Sequence, residues 1–215
     1  GFIDPEGAMR HLASLSQGVS RRAAIQRTLL PVMLSWMAAT PSPDAGLLGF
    51  RRVSENLGAT PWYLRLLRDE SLVAERLAYL LSSSKYFTDL LLRAPEAVSL
   101  LEDDESLQPR TFDALHKEMH SVAGRHQDAV DAVTAIRGIR QRELIRISAA
   151  YLLNLVSVAE VGIALSDITD ATLDAALYAV MNEQAAAGAA LPEIAVIGLG
   201  RLGGRELNFS SDTDI

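Results

Sequence analysis

Helix punctuation constrains this chain more than any other feature. Asp4-Pro5-Glu6 combines an N-cap acid, a proline at the first helical position and a second acid in the first turn, and Gly18 closes that segment. Ser20 caps the next helix. It runs to about Ala39 with Ile25, Leu29, Val32, Met33 and Trp36 at helical spacing, and Pro31 is expected to kink or split it. Pro41-Ser-Pro43 is a turn, Asp44 restarts a helix through Phe50 and Val53 to Leu57, and Gly58 ends it. Pro61 opens a helix in which Trp62, Leu66 and Leu67 alternate with Arg65, Arg68 and Asp69, an amphipathic face suited to core packing. Short helices follow over Ser71 to Leu81 and Ser84 to Arg93, and Pro95 opens one more. Glu102-Asp-Asp-Glu105 reads as a solvated loop. These signals predict helices without sheet over residues 1–190.

Gln108-Pro109 marks the best boundary, after which the helices lengthen. They are expected over Thr111 to His126, Asp128 to Ser157 with Gly138 as a break, and Val158 to Ala187, with Ala185-Ala-Ala-Gly-Ala-Ala190 as a linker. Arg137, Arg140, Arg142 and Arg146 with Glu143 fall on neighbouring turns around Ile139, Leu144, Ile145 and Ile147. They read as a charged face beside an apolar one, or as support for an anion site from an adjoining helix. His116 and His120 lie four apart on a helix, but H-x-E-x-H lacks the zinc-binding spacing H-E-x-x-H, and the pair reads as part of a polar face. No internal repeat is present.

The end of the chain changes character. Ile194 to Ile197, bounded by Pro192 and Gly198, is short, apolar and β-branched, and predicts a buried strand. Gly198, Gly200, Gly203 and Gly204 then place four glycines in seven residues, a backbone that a bulky anion such as phosphate can approach. Asp212 and Asp214 follow two apart. On a strand both carboxylates share one face, a pair of hard oxygen donors for Mg²⁺ or Mn²⁺. Gly198-Leu-Gly-Arg-Leu-Gly203 also fits the dinucleotide-binding fingerprint, but the eight residues from Gly204 to Ser211 leave too little room for the helix that fingerprint requires.

An apolar residue, Gly203-Gly204, a short spacer and Asp212-Thr-Asp214-Ile215 resemble the nucleotidyltransferase (polymerase β-like) superfamily. More narrowly, Gly200-Arg-Leu-Gly-Gly-Arg-Glu-Leu-Asn-Phe-Ser-Ser-Asp-Thr-Asp-Ile215 resembles the bifunctional glutamine synthetase adenylyltransferase/adenylyl-removing enzymes. Gly1-Phe-Ile-Asp-Pro5, Arg51-Arg52 with Thr60-Pro-Trp-Tyr-Leu-Arg-Leu-Leu-Arg68, and Leu91-Leu-Arg-Ala-Pro-Glu96 are similar to that family's middle region. The resemblance implies a mainly helical bundle leading into a truncated α/β nucleotidyltransferase domain. Residues 1–107 would be a helical middle region, 108–190 the helical segment of a catalytic half, and 191–215 the first strand-turn-strand. It implies transfer of AMP from ATP to a tyrosine of glutamine synthetase in nitrogen-assimilation control. The alternatives are the adenylyl-removing half of the same enzyme, or a helical connector without catalysis. Asp212 and Asp214 would hold the metal, Mg²⁺ or Mn²⁺. Gly203, Gly204, Ser210, Ser211, Arg201 and Arg205 would meet the nucleotide. A further acidic residue on a later strand is implied beyond Ile215, so the 215 residues alone are expected to be inert.

Composition narrows the partners. The net charge of −7 opposes a nucleic-acid-binding surface. No cysteine is present, which fits a reducing cytoplasm. Gly1-Phe-Ile-Asp4 is not a signal-peptide start, and Asn154 and Glu160 interrupt the most apolar stretch, so no membrane association is expected. The expected partners are glutamine synthetase and a nitrogen-signalling regulator protein.

Overall fold

Locally satisfied helix ends account for most of the architecture. Asp4 accepts a hydrogen bond from the Gly7 N–H at 2.8 Å, Ser84 from Phe87 at 3.1 Å, Thr111 from Ala114 at 3.4 Å and Asp128 from Asp131 at 2.9 Å. Each satisfies an N–H that the first turn leaves without a helical partner. The computed structural model describes every residue except Val19, Ser20, Gly58 and Ala59, together with the side chains of Arg21, Arg22 and Pro61. The expected cap at Ser20 and stop at Gly58 lie outside the described residues.

The chain divides into two units, Gly1–Leu107 and Gln108–Ile215. In the first, α1 (Pro5–Ser16), α2 (Arg21–Ala38), α3 (Pro43–Asn56), α4 (Pro61–Asp69), α5 (Ser71–Ser83) and α6 (Lys85–Arg93) precede a 3-10 turn, Pro95–Glu102. Helices α3 and α5 pack together at its centre, with α1 against α3 and α2 against α5. The core of this unit includes the fully buried Leu47, Phe50, Tyr63, Leu77, Leu81 and Phe87. Pro31 does not split α2. Asp44 lies inside α3 rather than capping it, and its carboxylate accepts the Ile3 N–H at 2.7 Å and the Asp4 N–H at 3.2 Å.

The second unit is built on α7 (Phe112–Ala123), α8 (Ala129–Leu152) and α9 (Val158–Ala186), which pack pairwise. Helix α8 passes through Gly138 without a break and ends at Leu152, where Asn154 takes a left-handed φ of 59°. Ser157 starts α9 as a capping box with Glu160. At the other end Gly188, at φ 79°, stops α9.

The expected strands are not formed: among the described residues there is no strand, and the only element after α9 is a single helical turn, α10 (Gly200–Gly203). The structure thus has a helical fold, without the α/β portion that the sequence suggested. One backbone bond, Leu199 N–H to Asp214 C=O at 2.9 Å, joins the glycine turn to the Asp212–Asp214 segment, and a lone pairing is too little for a ladder. The run expected to be buried is instead open to solvent, with Ile194 51% and Ile197 69% exposed. Residues 191–215 fall within the second unit. No described helix is long and apolar enough to cross a membrane.

Candidate functional site

The glycine-rich segment folds back on itself around α10. Gly200 sits at φ 51°, and a Cβ there would lie 2.6 Å from Asp214 Oδ2. A Cβ on Gly203 would lie 2.4 Å from the Gly198 carbonyl oxygen. Both positions therefore demand glycine, the first for conformation and close approach, the second for close approach alone. Asp214 is thus held against the glycine turn, which also fixes its backbone through the Leu199 bond.

The turn satisfies its own amides. Gly203 N–H donates to Leu199 C=O and Gly204 N–H to Gly200 C=O, each at 3.0 Å, so these two N–H groups are already engaged. Asp212 is exposed, and among the described residues neither Asp212 nor Asp214 is in an ion pair. Two surface carboxylates without a protein cation offer hard oxygen donors of the type divalent cations take. The period-two argument for their convergence lapses with the strand. What brings Asp214 to the turn is its backbone bond.

Ser210 and Ser211 belong to a turn around Asn208. Asn208 Oδ1 accepts the Ser210 N–H at 2.9 Å, and Ser211 Oγ accepts the Asn208 N–H at 3.0 Å. Arg201 is exposed. Arg205, at a left-handed φ of 57°, pairs with Asp167 of α9 at 2.5 Å and ties the segment to that helix.

A cleft of about 620 Å³ opens between α9 and this segment, lined by Asp167, Asp170 and Asp174 on one side and Val196, Leu202 and Arg205 on the other. Burial pushes the Asp170 carboxyl above its ordinary value; Arg205 opposes the shift and Asp167 adds to it.

Two arginines of α8 are engaged in ion pairs. Glu143 is 1% exposed, with Oε2 2.9 Å from Arg146 Nε and Oε1 3.5 Å from Arg110 Nη1. Arg142 pairs with Glu118 at 2.9 Å, and Glu118 also bonds Arg110. Arg142 and Arg146 are thereby committed within the second unit, while Arg137 is exposed. Sequence reasoning also missed Asp174, whose Oδ2 lies 2.9 Å from His116 Nε2 and 2.6 Å from His120 Nε2. No local signal could have joined residues on separate helices.

Comparison with known proteins places the chain among relatives. The family model described as glutamate-ammonia ligase adenylyltransferase matches residues 74–215. Over the whole chain it is 50% identical to a bifunctional glutamine synthetase adenylyltransferase/adenylyl-removing enzyme of Cutibacterium acnes, 21% of whose length is covered. Identity is also 50% to the protein of that name from Streptomyces coelicolor, covering 23% of it, and 43% to that from Mycobacterium leprae, covering 22%. In each case the whole of the present chain is aligned. The chain thus spans about a fifth of the length of these curated relatives.

Proposed function

The chain belongs to the glutamate-ammonia ligase adenylyltransferase family, and we propose on that premise that it forms part of an enzyme that transfers AMP from ATP to a tyrosine of glutamine synthetase. In this reading a helical middle region, residues 1–107, leads into the helical segment of the transferring half, 108–190. Residues 191–215 open an α/β nucleotidyltransferase domain. The exposed run from Ile194 to Ile197 supports this, because it is an apolar strand sequence that lacks the neighbours a sheet would supply.

The observation that carries the site is the contact of Asp214 with the glycine turn at Gly200. Asp212 and Asp214 are the residues that would hold a divalent cation, Mg²⁺ or Mn²⁺, whose chemistry when bound is to neutralise and orient phosphate oxygens. Gly203 and Gly204 serve by lacking side chains, so that a triphosphate meets bare backbone, rather than by donating their N–H groups. Arg201 is free to approach a phosphate, whereas Arg205 would have to leave Asp167 to do so. Ser210 and Ser211 shape the turn that presents Asp212. In the reaction the tyrosine oxygen attacks the α-phosphorus, the bond to the β,γ-diphosphate breaks, and pyrophosphate leaves. A dry, preorganised site is where such electrostatics act most strongly. The other partner proposed is a protein carrying the nitrogen signal, and the setting proposed is cytoplasmic.

The test uses the full-length protein, ATP labelled in its α-phosphate, and purified glutamine synthetase. Asp214→Asn is expected to abolish label transfer while leaving phosphorolytic removal of AMP from modified glutamine synthetase intact. Loss of removal with transfer spared would assign the segment to the removing half instead. Retention of both activities would leave the connector reading.

A further inference from the structure

We propose that His116, His120 and Asp174 form a zinc site that clips α7 to α9, separate from the carboxylate pair at Asp212 and Asp214. The three donor atoms, the two Nε2 and Asp174 Oδ2, all lie within 4.8 Å of one another. Both imidazoles address the same carboxylate oxygen, at 2.9 Å and 2.6 Å. Four-coordinate zinc, with bonds of about 2.1 Å, sets its donors about 3.4 Å apart, so Asp174 needs to open from each ring by less than about 1 Å while the two ring nitrogens settle to that same spacing.

The rings are held ready. His116 and His120 stack with centroids 4.1 Å apart and planes at 27°, Phe112 packs on His116 at 5.5 Å, and Tyr178 packs on His120 at 4.4 Å. This four-ring column fixes the plane of each imidazole before any ligand arrives. Phe112, His116 and His120 follow one another at four-residue intervals on α7, as Asp174 and Tyr178 do on α9, so helical geometry alone repeats the contact. A neutral imidazole binds zinc through one bare ring nitrogen while the other keeps its proton.

Two imidazoles and one carboxylate favour zinc or a neighbouring transition ion over Mg²⁺, which prefers oxygen donors. Three protein ligands leave a fourth position for water. All three donors are partly exposed, which gives the ion an entry path. A helix-to-helix clip is the chemistry such a site supplies most directly, because it ties residues 54 positions apart, His120 and Asp174.

The experiment titrates Zn²⁺ into metal-stripped full-length protein, with excess Mg²⁺ present to fill oxygen-donor sites. Uptake of one equivalent that raises the melting temperature is expected, and Co²⁺ should give the visible absorption of a four-coordinate site. His116→Ala, His120→Ala and Asp174→Ala should each weaken that uptake at least about tenfold, whereas His126→Ala, outside the cluster, should not. Uptake that survives in a folded His116→Ala/His120→Ala variant would overturn the proposal. So would the absence of uptake in the wild type, which would leave the cluster as a hydrogen-bonded clamp. Should the variants fail to fold, ring nitrogen NMR of the wild type decides: zinc must move one ring-nitrogen resonance of each of His116 and His120 into the metal-bound range, and unmoved resonances refute the site.

Discussion

Removing the Glu143 carboxylate should destabilise the second unit more than any surface change. Glu143 is 1% exposed and its main partner Arg146 is 11% exposed, so both charges have left bulk water. Arg146 Nε reaches Oε2 at 2.9 Å, and Arg110 holds Oε1 at 3.5 Å, an ion-pair contact rather than a hydrogen bond. Glu143→Ala removes the buried carboxylate that both Arg146 and Arg110 address. Breaking a buried pair from one side costs about 3–5 kcal/mol, against a whole-domain stability of about 5–15 kcal/mol. For a unit of this size that corresponds to a drop of roughly 10 °C or more in melting temperature. Arg142→Ala is the control. Arg142 is 42% exposed and its partner Glu118 32%, so that loss should stay within about 1 kcal/mol. Thermal and urea melts followed by helical circular dichroism compare the two. A Glu143→Ala cost under about 1 kcal/mol would refute the reasoning, since it would mean that water reaches Arg146 and solvates it.

Other outcomes follow from the same geometry. Asp170 is raised chiefly by burial, so between its unfolded and folded values the native state binds more protons and stability falls as pH rises. Asp170→Asn should raise the melting temperature at neutral pH, with the gain fading below the ordinary carboxylate range; a lower melting temperature at neutral pH would contradict this. For Glu118 burial works upward, but Arg110 and then Arg142 outweigh it and hold the carboxyl low. Its contribution is present above the unfolded value and lost as pH falls through the folded one, so Glu118→Gln should flatten the acid side of the stability profile, as melts across that range would show. Gly203→Ala would drive a Cβ to 2.4 Å from the Gly198 oxygen, so AMP transfer by the full-length protein should fall while the helical melt is unchanged.

Much of the fold was legible because helix ends are local. Asp4, Ser84, Thr111 and Asp128 sit within three residues of the amides they cap, and Pro or acid neighbours flag all but Ser84. The Ser157–Glu160 capping box is equally local, and it places Ser157 at the start of α9 rather than at the end of a helix from Asp128. Gly138 failed as a break because buried Ile136 and Ile139 pack α8 on either side, and tertiary packing outweighs a glycine's cost of about 1 kcal/mol. The strand reading at Ile194 to Ile197 came from composition, whereas a strand exists only through its neighbours. The glycine turn was visible, but its contact with Asp214 depends on a bond between residues 15 apart, Leu199 and Asp214. Asp174 beside His116 and His120 is likewise a product of how α7 meets α9.

The most direct test of the proposed catalytic site pairs stability with chemistry in two full-length variants, Asp212→Asn and Asp214→Asn. Asp212 and Asp214 are exposed and, among the described residues, in no ion pair, so removing one charge should leave the melting temperature unchanged. AMP transfer to glutamine synthetase should vanish in both. Wild-type transfer in either variant, or a lowered melting temperature with transfer retained, would show the aspartates to be structural and contradict the account.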